Sequence, residues 1–319
     1  MMSIANKIGL GTAAIGRPKY INIRQEAAAP FELDRFRRQG IALLNAAYDQ
    51  GILYFDTAPG YGLAEQLLLD WVHEKKDHSI ELATKWGYSY VAAFNPDAIV
   101  HEHKEHSLSR LNDQWAQSQG LLPYLSTYQI HSATFESGVL RNRAVLHRLA
   151  ELKAAHGLLM GITTTGVDQI EVLKGAMDIE MDQKQLFDVF QVTYNIFDQT
   201  LATVAGDLSG QGKRIVVKEA MANGRVFPNK RFPHYSTVYE LLSHLAVKYG
   251  VGVDAVALRF CIDSIPAFRV LSGVAEERHL LDNLKANDFQ LEEEDLSALR
   301  NLAIDPASYW NERKLLEWN

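Results

Sequence analysis

Apolar residues in this chain arrive in two alternating rhythms. Short solid runs recur at Ile8–Leu10, at 52–56, SIELATKW (79–86), TYQIHS (127–132), LLMGITTTG (158–166), LFDVFQV (187–193), RIVVKEA (214–220) and FRVLSG (268–273). Between them the spacing turns helical. Residues 33–50 place Leu33, Phe36, Ile41, Leu44, Ala47 and Tyr48 on one face, and Gly51 supplies the stop. The same reading predicts helices over 64–73, 97–111, 141–155, 167–177, 236–249, 253–262, 276–286 and 292–302. Solid apolar runs suit parallel strands buried on both faces. Their alternation with helices, repeated eight times, predicts an α/β chain folded as a (β/α)8 TIM barrel. A doubly wound open sheet is the alternative. No Pro/Gly-rich linker interrupts the pattern, so residues 1–319 read as one barrel domain with a short tail from about 303 to 319.

Composition narrows the function classes. The 319 residues are 47% hydrophobic and 22% charged, ordinary for a soluble globular chain. The net charge of −7 is spread along the sequence, which argues against nucleic acid or an anionic membrane as partner. One cysteine, Cys261, excludes a disulfide framework and reads as a buried thiol. The N-terminus is too short and polar for a secretory leader, and no apolar run has the length of a membrane span. The expectation is a cytoplasmic protein, monomer or homodimer, acting on a small molecule.

A barrel places its chemistry at the C-terminal ends of its strands. Asp56, Lys85, His131, Thr163, Thr164 and Lys218 all fall at or just past such ends, and Gln191 lies late in its strand. The stretch LYFDTAPGYG (53–62) ends a strand on Asp56 and presents Tyr61 across a Pro59-Gly60 bend. Three successive strands thus end on Asp, Lys and His, a convergence of titratable groups that points to a site. The opening IGLGTAAIG (8–16) has the first two glycines of a dinucleotide fingerprint, but Gly16 comes two residues too late. Its glycines read instead as places where backbone comes close to a neighbour. HEHKEH (101–106) lacks the H-E-x-x-H spacing because Glu105 holds the fifth place. It reads as a solvated helix face, and no metal site is expected.

Taken together, LYFDTAPGYG with AEQLL after it, ATKWG (83–87), YQIHS (128–132), GLGTAAIG near the start and NLKA near the end resemble the aldo-keto reductase family over nearly the whole chain. The resemblance implies a barrel that binds a nicotinamide dinucleotide without a Rossmann domain and interconverts carbonyls and alcohols. It implies a catalytic tetrad of Asp56, Tyr61, Lys85 and His131. It also implies cofactor contacts at Thr12, Asp56, Thr163, Thr164, Gln191, Lys218, Gly273, Arg278, His279 and Asn283. In those roles Tyr61 is the proton donor, Lys85 lowers its pKa, Asp56 holds Lys85 and His131 orients the carbonyl oxygen.

The chain departs from the family pattern at the cofactor. Thr163-Thr164 stand where Ser-Asn is common, and Lys218 where many members stack a tyrosine. Glu276 and Glu277 would repel a 2′-phosphate, while Arg278 or His279 would favour one. The family favours NADP(H), with NAD(H) possible. Two other functions stay open: a Schiff-base lyase using Lys85, and a cofactor-binding regulatory barrel. Tyr20, Trp86, Tyr88, the 132–138 loop and Trp310 are candidates for the substrate pocket, and the aromatic tail could cap it.

Overall fold

The structure is a computed structural model that describes residues 6–23, 31–95 and 97–318. Eight parallel strands close into a barrel: β1 Ile8–Gly11, β2 Tyr54–Asp56, β3 Glu81–Trp86, β4 Leu125–Ala133, β5 Leu159–Thr164, β6 Val189–Thr193, β7 Arg214–Lys218 and β8 Arg269–Ser272. Each strand pairs with its neighbours in the chain, and β1 pairs with both β2 and β8. That closure leaves no edge and rules out the open sheet.

The helices outside the strands are α1 Leu33–Asp49, α2 Ala64–Lys75, α3 Leu108–Ser118, α4 Arg143–His156, α5 Gln169–Met177, α6 Ala202–Gly210, α7 Ser236–Tyr249, α8 Val253–Ser264, α9 Glu277–Leu284, α10 Glu293–Arg300 and α11 Pro306–Lys314. Local chemistry sets their ends. The Glu32 carboxylate accepts from the backbone of Asp34 (2.9 Å) and Arg35 (2.7 Å) to cap α1. Leu43, Leu44 and Ala47 then bury its inner face, and Gly51 turns the chain at φ +79°.

Alternation along the short strands sorts two cores. Phe55 faces outward into the large layer between sheet and helices, while Tyr54 faces inward with Ala83, Val189, Val216 and Leu271. Asp56, two residues on from Tyr54, therefore also points into the barrel. It sits above that apolar plug, at the end where polar side chains collect.

The stretch from 97 to 111 differs from the predicted helix. Tyr88–Tyr90 and Glu102–Lys104 pair as an antiparallel hairpin, and α3 begins only at Leu108. Ser107 explains the late start, since its hydroxyl accepts from the Arg110 N–H at 3.1 Å as an N-cap. HEHKEH is thus part of a hairpin wall and not a solvated helix face. The periodicity also missed α6 and a small hairpin, Glu180–Met181 with Lys184–Gln185.

The tail folds back over the barrel mouth. Within it α11 is held by Arg225, which donates to the Tyr309 carbonyl (3.2 Å) and Glu312 (3.1 Å) and lies 4.1 Å over the Tyr309 ring. Trp318 then bridges back to Ile21.

Candidate active site

Two glycines bring the first pieces together. A Cβ on Gly16 would lie 1.9 Å from the Tyr61 carbonyl oxygen, so only glycine lets the loop after β1 press on the loop after β2. The Leu63 N–H donates to the Gly16 carbonyl at 2.8 Å and closes that contact. Tyr61 sits in a single 3-10 turn, Pro59–Tyr61, started by proline and ended by Gly62 at φ +62°. This is the close backbone approach expected of the opening glycines, and its product is a fixed tyrosine.

At the centre lies a buried ion pair. Lys85 Nζ contacts Asp56 Oδ1 directly and donates to the Thr57 carbonyl at 3.0 Å. Both side chains are almost wholly removed from water. The second carboxylate oxygen of Asp56 accepts from Gln191 (2.7 Å) and Gln129 (3.3 Å). A buried pair is sustained only when its remaining valences are met, and here they are. The third Lys85 contact is to Tyr61 Oη at 3.2 Å, and Tyr61 Oη lies 3.4 Å from His131 Nε2. All four tetrad residues therefore meet.

Electrostatics fix their protonation. Burial, reinforced by Asp56, raises the Tyr61 phenol well above its ordinary range, with Arg17 opposing. The sequence predicts that Lys85 brings it down, and the structure differs. The Lys85 ammonium is committed to Asp56, and burial of the phenol outweighs it. Burial lowers Lys85, and the Asp56 carboxylate opposes that fall. His131 is held well below 6.5 by burial, with Lys85, Arg17 and Lys218 adding to it. At neutral pH the site thus holds a protonated phenol beside a neutral imidazole.

His131 is positioned by a kink. β4 slips register between Ile130 and Ala133, and Ser132 adopts φ +52°. The backbone groups released from the ladder find side-chain partners. His106 Nε2 donates to the His131 carbonyl (2.9 Å), Lys104 Nζ to the Ser132 carbonyl (2.7 Å), and Thr163 Oγ1 accepts from the Ser132 N–H (2.7 Å). A Cβ on Gly87 would fall 2.3 Å from the His106 ring, so that glycine makes room for it. Burial first, then Lys104, lowers His106 to about 4, which keeps it a neutral donor.

These groups floor a cavity of about 380 Å³. Tyr20, Tyr88 and Ser132 line it as expected, whereas Trp86 and Trp310 are packed into the core. The tail does cap the cavity, through Arg313 and Trp318 rather than Trp310. Arg17, unremarked beyond its loop in the sequence, lies under that cap. It contacts Glu102, donates to the Gly60 carbonyl (3.1 Å), and its guanidinium carbon stands 4.8 Å from the Trp318 ring and 5.3 Å from the Tyr61 ring. Arg313 grips Glu219 through two nitrogens (2.6 and 3.1 Å).

The residues expected at a cofactor divide. Asp56, Thr163, Gln191, Lys218 and Gly273 line the cavity. Thr164 points to the opposite face of β5, and it is Thr165 that joins the wall. Thr12 is buried, its hydroxyl donating to the Asp56 carbonyl at 3.0 Å. Arg278 and His279 are exposed on α9, where Arg278 pairs with Glu276 at 2.9 Å. Asn283 is buried beside Ser272 Oγ at 2.8 Å. The Lys218 ammonium donates to Thr193 Oγ1 at 3.0 Å. Among the described residues no cluster of His, Cys, Asp and Glu has the geometry of a metal site, and no helix is long and apolar enough to cross a membrane.

The comparisons with known proteins agree with this fold. The chain is 23% identical to the aldo-keto reductase YhdN of Bacillus subtilis, over 95% of this chain and 92% of that protein. It is 25% identical to the aldo-keto reductase str7 of Strobilurus tenacellus, over 94% and 90%. Among solved structures it superposes on a glycerol dehydrogenase from Gluconobacter oxydans with TM-score 0.71 and 19% identity, covering 95% of this chain and 93% of the other. A Klebsiella pneumoniae aldo/keto reductase in complex with NADP and acetate superposes with TM-score 0.67 and 18% identity, covering 93% and 90%. The sequence profile of the Aldo/keto reductase family matches residues 7–304, and the chain belongs to that family of oxidoreductases.

Proposed function

We propose that the protein interconverts an aldehyde or ketone and an alcohol with a nicotinamide dinucleotide, Tyr61 delivering the proton. The observation that carries this reading is the position of Tyr61 Oη, within 3.2 Å of Lys85 Nζ and 3.4 Å of His131 Nε2 at the cavity floor. A carbonyl oxygen seated there meets one acid and one neutral imidazole.

The cavity suits the nicotinamide end of the cofactor. Gln191 and the Thr163 and Thr165 hydroxyls offer an amide and two hydroxyls to a carboxamide. Gly273 leaves its side open, since a Cβ there would touch nothing within 4 Å. When bound, the cofactor supplies or accepts the hydride. The chain does the rest. Tyr61 stays protonated at neutral pH and gives its proton to the carbonyl oxygen as negative charge develops. Lys85 sits beside the phenolate that remains, and Asp56 keeps Lys85 charged and in place. His131 Nε2 donates to the same carbonyl oxygen and fixes its approach. Arg313 and Trp318 cover the mouth and limit water.

Lys85 is a poor Schiff-base nucleophile here, since its three contacts occupy the ammonium and its side chain is fully buried. The four-residue constellation also favours turnover over a purely regulatory barrel. NADP(H) is favoured on family grounds. The exposed Arg278 and His279 lie outside the cavity, so NAD(H) remains the alternative. Fluorescence titration with NADPH and NADH, followed by dinucleotide oxidation with a panel of aldehydes, tests the reading. Tight binding and turnover are expected. Binding without turnover of any carbonyl or alcohol would favour the regulatory barrel.

A further inference from the structure

We propose that Lys218 is an anion-docking group of the cavity wall, so that the molecule held against it presents a carboxylate or phosphate oxygen. The inference deepens the carbonyl-reductase reading and rests on it for its kinetic arm.

Among the described residues three carboxylates line the cavity, and each is already paired within the protein. Asp56 is held by Lys85, Glu102 by Arg17 and Glu219 by Arg313. Lys218 is the remaining cation among the described residues of the wall, and no carboxylate contacts its ammonium. Its hydrogen-bond partner is a neutral hydroxyl, Thr193 Oγ1 at 3.0 Å. An ammonium carries three donors, so two are left for a ligand.

Glu219, adjacent in sequence, is turned away. It adopts φ +56°, and both its oxygens are taken by Arg313. Lys218 is half-buried and Glu219 stabilises its charge only across space, so an anionic ligand in direct contact offsets the remaining desolvation cost. Burial lowers Lys218 to about 8, with Glu219 opposing the fall and Arg313 and Lys85 adding to it. The ammonium presents a compact charge that suits a carboxylate or a phosphate equally. The anion belongs either to the dinucleotide or to the carbonyl substrate, and one set of variants separates the two.

Lys218→Met and Lys218→Gln remove the charge on the full chain, and Lys218→Arg keeps it. NADPH and NADH affinities are measured by tryptophan fluorescence, since Trp318 lines the same cavity. The ratio of kcat/KM for succinic semialdehyde to that for butanal reports on a substrate carboxylate. The neutral variants are expected to lose about 10- to 100-fold, the scale of a hydrogen bond to a charged group, and the Arg variant to recover most of it. A loss in dinucleotide affinity, equal for both aldehydes, assigns the anion to the cofactor phosphates. A loss confined to the succinic semialdehyde ratio assigns it to the substrate. Unchanged affinities and an unchanged ratio in folded Met and Gln variants overturn the proposal. Should the parent chain reduce no carbonyl, titration of the NADPH-loaded protein with succinate replaces turnover, so the two failures remain distinguishable.

Discussion

Tyr61 is useful because of what surrounds it rather than what it is. A free phenol is a reluctant acid, and burial makes this one more reluctant still. That keeps the proton in place at neutral pH, which suits the reductive direction. Carbonyl reduction needs phenol and should hold level from pH 6 upward, with no inflection from His131, whose pKa lies well below 6.5. Alcohol oxidation needs phenolate and should climb with pH across the same range. Parallel profiles of kcat/KM in the two directions check this; an inflection near 6.5 in reduction would contradict the neutral imidazole.

A second residue-scale expectation concerns the ion pair. Lys85→Met leaves Asp56 buried without its cation and should cost about 3–5 kcal/mol, read by urea denaturation. Asp56, Lys85 and His131 were legible in sequence because each lies near the end of a strand, and Tyr61 because it follows Asp56 across the Pro59-Gly60 bend. Arg17 and Gln129 were not, since their partners, Glu102 and Asp56, lie far along the chain and meet them only once the barrel closes.

At the scale of elements, the solid apolar runs revealed all eight strands because both faces of each are covered. The hairpin of Tyr88–Tyr90 and Glu102–Lys104 gave no such signal. Its residues are polar, partly exposed and of no clear period, and its hydrogen bonds are set by pairing rather than burial. Yet it holds the kink that aims His131.

His106 also links that hairpin to stability. Its folded pKa of about 4 lies below the ordinary 6.5, so the unfolded chain binds the extra proton between those values. Its contribution is complete above about pH 6.5 and is lost as pH falls toward 4. His106→Gln should flatten that part of the stability profile, measured by urea midpoints from pH 4 to 7. The same variant should lower kcat more than it alters dinucleotide affinity, because His106 acts on the His131 backbone. An unchanged profile and unchanged kcat would show the contact to be incidental.

At the scale of the whole molecule, the tail completes a cavity that the barrel alone leaves open. Glu219 at the end of β7 anchors Arg313, while burial opposes its charge and Arg313 and Lys218 overcome that and bring it down to about 2. Glu219→Gln should loosen the tail. Tryptophan emission should shift to the red as Trp318 gains water, and KM should rise by about 10-fold while Tyr61-dependent chemistry persists. Emission and KM unchanged would argue that Arg225 alone secures α11. The aromatic tail was visible in sequence only as an option, because capping depends on where α11 docks, and Arg225 and Glu219 decide that from elsewhere in the chain.

The role proposed for Tyr61 is delivery of the proton in a dinucleotide-dependent carbonyl reduction. Tyr61→Phe tests it most directly, with single-turnover hydride transfer and NADPH affinity measured on the same preparation. Turnover should fall by about 10²–10⁴-fold, with affinity within about 3-fold of the parent, since the ring is retained and one hydroxyl is removed. Turnover near the parent value with affinity intact would contradict it.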